Sequence, residues 1–258
     1  MIPSTLHPNA PAHTAIIMDG NGRWAAQREL PRIAGHRAGA EALRRVVEAA
    51  PDLGIRALTV FAFSSDNWKR PPAEVRGLFA LLEHFIRGEL ARCEENGIEV
   101  RAVGRRDRLP WSVQKAIEYA ESRTQMGTRL TLRIAVDYSS RDALVHAATL
   151  ARGDAESREA FSYSLAMAYG EPGRRLPEVD LLIRTAGEQR LSDFLLWESA
   201  YAELYFSPAL WPDFGVDGLR DAVSDYHRRR RTFGGLVATS TEHRDFPETS
   251  VEALRRLA

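Results

Sequence analysis

A chain of 258 residues that is 44% hydrophobic can bury one large α/β core or two small ones, and a single domain over 1–258 is the simpler expectation. Its 35 Lys and Arg balance 35 Asp and Glu, so no net field draws nucleic acid to the surface and any anion site must be local. Cys93, the single cysteine, excludes an internal disulfide framework and a multi-cysteine zinc site and fits a reducing, cytoplasmic setting; without about eighteen consecutive apolar residues, any membrane contact is peripheral.

The first β-rich run, His13–Met18, leads straight into Asp19-Gly20-Asn21-Gly22-Arg23-Trp24. Two glycines let backbone N–H groups approach an anion, Arg23 offers a guanidinium fork, and Asp19 can hold a hard cation against that anion. The set suits a diphosphate held with Mg²⁺, although an ordinary β-to-α connection with a solvated aspartate has the same composition. Polar residues continue through Arg32 to Gly35-His36. A helix over Ala38–Ala50 and a strand over Ala57–Phe63 follow, then Ser64-Ser65-Asp66-Asn67-Trp68-Lys69-Arg70-Pro71. Hydroxyls, an amide and a guanidinium at a strand end can bind a phosphate; the alternative is a serine-rich helix cap with Trp68 in the core.

Ala73–Glu95 carries Val75, Leu78, Phe79, Leu82, Phe85, Ile86 and Leu90 near the three-and-four spacing of one helical face. Strands over Ile98–Val103 and Leu130–Val136 are predicted, with helices over Trp111–Ser122, Arg141–Ala151 and Glu156–Ala168. The strand Val179–Ile183 opens into Arg184–Ser192, where two arginines and a serine around Gly187 form an anion clamp or a charged surface turn. Glu203 opens the last apolar run, Glu203–Phe206, where an acid is either paired with an arginine or bound to a metal. A helix over Val216–Arg230 closes the pattern, and 242–258 reads as a loosely attached tail. Strands alternating with helices predict an α/β fold, a central, mostly parallel six-stranded sheet flanked by helices, with ligands outside the carboxyl ends of its strands.

Four blocks in order, His13–Ala25 with Gly35–Gly39, Phe61–Pro71, Asp180–Trp197 and Tyr201–Phe206, resemble the cis-prenyltransferases, the undecaprenyl diphosphate synthase or isoprenyl transferase family, over nearly the whole chain. The resemblance implies a homodimeric fold with an apolar tunnel. It also implies a Mg²⁺-dependent condensation of isopentenyl diphosphate onto an allylic diphosphate such as farnesyl diphosphate, giving a long Z-polyprenyl diphosphate, undecaprenyl or similar. It makes Asp19 the catalytic metal-binding acid, Gly20, Asn21, Gly22 and Arg23 the lining of the allylic diphosphate, and Trp24, Arg32 and His36 further substrate contacts. Asn67 becomes the proton acceptor among substrate-contacting Ser64, Ser65, Asp66, Trp68 and Arg70. Arg184, Arg190, Leu191 and Ser192 become the isopentenyl diphosphate site, and Glu203 a second Mg²⁺ ligand. Ala62, Leu130, Leu132, Ile134 and the long helix become tunnel walls, each otherwise ordinary core, while Trp197–Phe206 is a candidate dimer contact or a buried core strand. The stretch from Arg228 to Gly235 resembles the family's closing segment.

The chain departs from the family pattern at Ala186, where a second glycine is usual, at Asp193, where asparagine is common, and at Asp66, which replaces glutamate. Asp137-Tyr138-Ser139-Ser140-Arg141 also stands where the family has Asn-Tyr-Gly-Gly-Arg. Two alternatives share the fold: a short-chain or branched-product synthase, and a non-catalytic lipid-binding subunit, which need not keep Asp19 and Asn67.

Overall fold

The structure, a computed structural model, describes residues 10–151, 157–173 and 177–229. The expected tail at 242–258 and the stretch after Arg229 lie outside the described residues. By contacts the chain divides into Met1–Arg228, which holds every element below, and Arg229–Ala258.

In chain order the elements are β1 (His13–Ile17), α1 (Asn21–Ala26), α2 (Arg32–Ala49), β2 (Ala57–Ser64), a 3-10 turn (Ser65–Lys69), α3 (Pro72–Glu95), β3 (Ile98–Val103), α4 (Trp111–Thr124), β4 (Leu130–Tyr138), α5 (Ser140–Ala151), α6 (Arg158–Ala168), β5 (Leu181–Arg184), β6 (Glu203–Phe206) and α7 (Trp211–Arg228). The six strands form one sheet in the order β3-β4-β2-β1-β5-β6, and every pairing is parallel. Parallel pairs need crossovers, and the crossover helices cover both faces, so all five residues of β1 are buried. One face packs Val46, Phe79, Ile117 and Leu219 from α2, α3, α4 and α7 against Val60 and Ile134. The other packs Ala147 and Leu165 from α5 and α6 against Ala15, Ala135 and Leu182.

The helices depart furthest from the predicted pattern at three places, each with a local feature beside it. Residues 21–26, which composition marks as turn, form α1, started by Gly20 in the left-handed region at φ 102°. Helix α2 begins at Arg32 behind Pro31, six residues before the expected Ala38. Its interior glycines are there for close approach: a Cβ at Gly35 would stand 2.0 Å from the Asn21 carbonyl oxygen, and one at Gly39 2.3 Å from Asn21 Oδ1. Helix α7 begins at Trp211, ahead of Val216, and carries a break at Gly215.

Candidate active site

Register decides which side chains share the site. Ile17 of β1 lies beside Phe61 of β2 and Arg184 of β5, so the three loops after these strands open at the same edge of the sheet. Asp19 is fixed there by its backbone: its N–H donates to Thr185 Oγ1 at 2.9 Å, the Thr185 hydroxyl donates to its carbonyl at 2.7 Å, and Trp211 N–H reaches the same carbonyl at 2.9 Å. Thr185 and Trp211 are supports that the sequence reading missed, and only their adjacency to strand ends could have flagged them.

The Asp19 carboxylate accepts from Gly20 N–H at 2.7 Å and from Arg184 Nη2 at 2.9 Å, with Arg23 Nη2 at 3.6 Å. Arg184 is buried; its Nη1 donates to the Arg190 carbonyl at 2.6 Å and to Ser192 Oγ at 2.7 Å. The first and third loops therefore meet through one guanidinium. Glu188, unmarked in the sequence reading, lies 3.2 Å from Arg23 and also pairs with Arg190, so it links the two arginines expected to bind anions. The segment is strained: Ala186, Ser192, Asp193 and Leu195 all have positive φ, a conformation that non-glycine residues hold only when their surroundings enforce it.

A cavity of about 580 Å³ opens below these loops. Asp19, Asn21, His36, Ser64, Asp66, Asn67, Arg70, Arg184 and Ser192 line it, together with apolar residues such as Leu43, Ala62, Leu78, Phe79, Leu82 and Phe85. Its wall is thus mostly apolar with a substantial polar share, as an amphiphile with an anionic head requires. Three buried polar atoms here, Asn21 Oδ1, His36 Nε2 and Arg184 Nε, have no hydrogen-bond partner among the described residues. Burial pushes the His36 imidazole down to about 4, with the Arg70 guanidinium adding to the effect, so it is neutral near pH 7. Asn67 caps the 3-10 turn in a reciprocal box, its Oδ1 accepting from Ser64 N–H at 3.1 Å. Arg70 and Arg32 both pair with Glu74, at 3.1 and 3.4 Å.

Other expected residues lie apart from the cavity wall. Trp24 Nε1 donates to Asp213 at 2.7 Å, with Arg28 stacked 4.1 Å over its ring. The Trp68 indole turns toward Asp137, and Leu191 packs on the α5–α6 face of the sheet. Ser65 follows Ser64 in the 3-10 turn, and Gly22 lies against the Arg32 guanidinium. Glu203 pairs with Leu181 and hence stands level with Thr14, three positions behind Arg184 and Ile17, roughly 10 Å along the strands. The structure thus brings Asp19, Asn67 and Arg184 to one cavity, but not Glu203. Among the described residues no group of three or more His, Cys, Asp or Glu could hold a metal ion. Of the two acids expected to hold Mg²⁺, only Asp19 lines the cavity; Mg²⁺ takes few protein carboxylates and completes its shell with water and phosphate oxygens.

The chain matches the Prenyltransf family, that of undecaprenyl diphosphate synthase, over residues 17–234. It is 52% identical to isoprenyl transferase 1 of Bradyrhizobium diazoefficiens across 89% of this chain and 92% of that protein. Against the isoprenyl transferase of Agrobacterium fabrum the identity is 47%, covering 92% and 97% of the two. The solved structure of lavandulyl diphosphate synthase from Lavandula x intermedia, in complex with dimethylallyl diphosphate, superposes with a TM-score of 0.80 at 36% identity, covering 87% of this chain and 98% of that one.

Proposed function

Because the chain belongs to the undecaprenyl diphosphate synthase family of isoprenyl transferases, we propose that it condenses isopentenyl diphosphate with an allylic diphosphate, such as farnesyl diphosphate, into a long Z-polyprenyl diphosphate. The reading rests on Asp19, Arg184 and Asn67 lining one cavity together with apolar residues such as Leu78, Phe79, Leu82 and Phe85.

In this reading the allylic diphosphate lies at the start of α1, where backbone N–H groups and Arg23 stabilise the charge that develops as it leaves. Mg²⁺, held by Asp19, would add charge neutralisation on that diphosphate. Arg184, Arg190 and Ser192 hold the second diphosphate so that its double bond faces the carbon being attacked, a positioning contribution. Leu78, Phe79, Leu82 and Phe85 keep water from the cationic carbon, and Ala62 leaves room for a lengthening chain. Asn67 Oδ1 already accepts the Ser64 N–H, and an amide is a weak base. Asn67 therefore orients the departing proton's neighbourhood, and a diphosphate oxygen takes the proton. Glu203, set back from Asp19 within one chain, would serve a metal only where a second copy supplies it.

The test is to incubate purified protein with both diphosphates and Mg²⁺ and to determine product length and double-bond geometry by mass spectrometry and NMR. Asp19→Ala should lower kcat by a hundredfold or more, the order of effect of removing a key electrostatic group. An unchanged rate, or wild-type activity that survives EDTA, would sink the mechanism. The lavandulyl diphosphate synthase likeness favours one second reading, a short or branched product from two allylic diphosphates. Omitting isopentenyl diphosphate separates the two, since only the branched reaction proceeds without it.

A further inference from the structure

Asp137 is a buried acid in an unusual backbone state: it is 1% exposed and has φ 50° inside β4, in the left-handed region that side chains avoid. Two loops are fastened to it. Its carboxylate accepts from Arg108 Nε at 2.8 Å, with Arg108 Nη2 closing the fork, and its carbonyl accepts from Arg105 N–H at 3.2 Å. At Gly104, just before, a Cβ would stand 2.2 Å from the Val136 carbonyl oxygen, so the backbone of the β3–α4 loop lies directly on the end of β4. The other loop is the one that carries Asn67. Trp68 Nε1 donates to the same Asp137 carboxylate at 2.9 Å, and its ring packs at 5.4 Å from Phe63 and 5.2 Å from Phe79, with Arg108 5.6 Å over its face.

Resting on the prenyl-transfer reading above, we infer that the Asp137–Arg108 pair is a positioning device for the Asn67 loop, gripping the Trp68 indole so that Asn67 and Arg70 keep facing the cavity. The capping bonds of the short 3-10 turn join Ser64, Asp66 and Asn67 only to one another, so beyond the Trp68 ring packing and the Arg70–Glu74 pair the indole N–H is the turn's polar tie to β4. A buried carboxylate is suited to the task, because a charge-assisted acceptor holds the indole N–H more strongly than a neutral one. Arg108 supplies the counter-charge that a buried carboxylate requires. In Asp137 this chain has an acid where the family's Asn-Tyr-Gly-Gly-Arg run begins with an amide, and Arg108 is its ion-pair partner.

The experiment combines kinetics with farnesyl and isopentenyl diphosphates and the indole ¹H–¹⁵N resonance of Trp68, identified by its loss in Trp68→Phe. In Asp137→Ser the resonance should move and kcat should fall about tenfold or more, while each KM stays within about threefold. Asp137→Asn, which keeps an acceptor oxygen, should recover most of that kcat. Arg108→Gln should give a smaller loss of the same kind, and it carries the test if Asp137→Ser does not fold. A folded Asp137→Ser or Arg108→Gln protein with a displaced resonance and kcat within twofold of wild type overturns the inference, as does an equal loss in Asp137→Asn and Asp137→Ser. Absence of any prenyl product from the wild type would instead overturn the transfer reading, while the resonance would still report whether the tie exists.

Discussion

At Ala186 the chain accepts local strain beside its own anion clamp. Its φ is 70°, and its two neighbours in space are Gly20, where a Cβ would stand 3.0 Å from the Ala186 methyl, and the Ala209 carbonyl that receives its N–H at 2.7 Å. An L residue in this region costs about 1–2 kcal/mol, and glycine gives back part of that through a freer unfolded chain. Ala186→Gly should therefore raise the urea midpoint by the equivalent of about 0.5–1 kcal/mol, with the m-value unchanged. A lower midpoint would mean that the methyl's packing outweighs its strain. Asp19 was legible in the sequence through the further strand-end motifs that follow its turn in order, since the turn alone has the composition of an ordinary β-to-α connection. Its supports were not, since Thr185 and Trp211 act through the Asp19 backbone, which leaves no pattern in residue type.

At the scale of elements, two departures from the family pattern turn out to be one feature. Ser139 caps α5, accepting from Asp142 N–H at 3.1 Å, and its hydroxyl donates to Asp193 Oδ2 at 2.6 Å. The other Asp193 oxygen accepts from Arg141 N–H at 2.8 Å, so an acid from the clamp segment completes the cap of a helix 50 residues earlier in the chain. Asp193→Ala should cost about 1–2 kcal/mol in urea unfolding, the range of a lost cap. Ser139→Gly should cost less on top of it than alone, because the hydrogen bond between the two side chains is already gone and only the Asp142 N–H bond remains to be lost; full additivity would show them to be independent. The six strands were legible to within a few residues from their β-rich runs, since a parallel sheet buried on both faces leaves continuous apolar segments. Helix α1 and the true start of α2 were not, because glycines that permit close packing look in sequence like glycines that end helices.

Across the whole molecule, three buried groups set the pH dependence of stability. Burial, with Arg133 nearby, pushes His13 down to about 3, and burial with Arg70 pushes His36 down to about 4, both from 6.5. Burial raises Glu198 from 4.5 to about 7. The histidines, depressed in the folded state, contribute stability above pH 6.5 that is lost as pH falls toward 4 and 3. Glu198, raised in the folded state, contributes stability below pH 4.5 that is lost as pH rises through 7. Between 4.5 and 6.5 the unfolded chain binds two protons more on the histidines and one fewer on the glutamate, so stability climbs by about 1.4 kcal/mol per pH unit and then levels off, the last histidine gain offsetting the glutamate loss. Urea midpoints should rise from pH 5 to 6.5 and stay level to pH 8, and Glu198→Gln should make the rise about twice as steep and carry it past pH 6.5. Identical profiles in the two proteins would show that Glu198 does not contribute. None of these groups could be assigned from the sequence, where His13, His36 and Glu198 resemble any surface residue; their burial is a product of the tertiary fold.

The meeting of Asp19 with Arg184 and Thr185 also bears on how the protein is made. The acid leaves the ribosome well before its partners, which follow 165 and 166 residues later. At bacterial and eukaryotic synthesis rates that interval is roughly 10–30 s. Throughout it β1 lacks its neighbour β5, and the first strand of the sheet waits with one edge unpaired. The same edge that later joins the two anion loops is therefore the part of the nascent chain most in need of shelter, and a chain halted before residue 184 has the acid but no site.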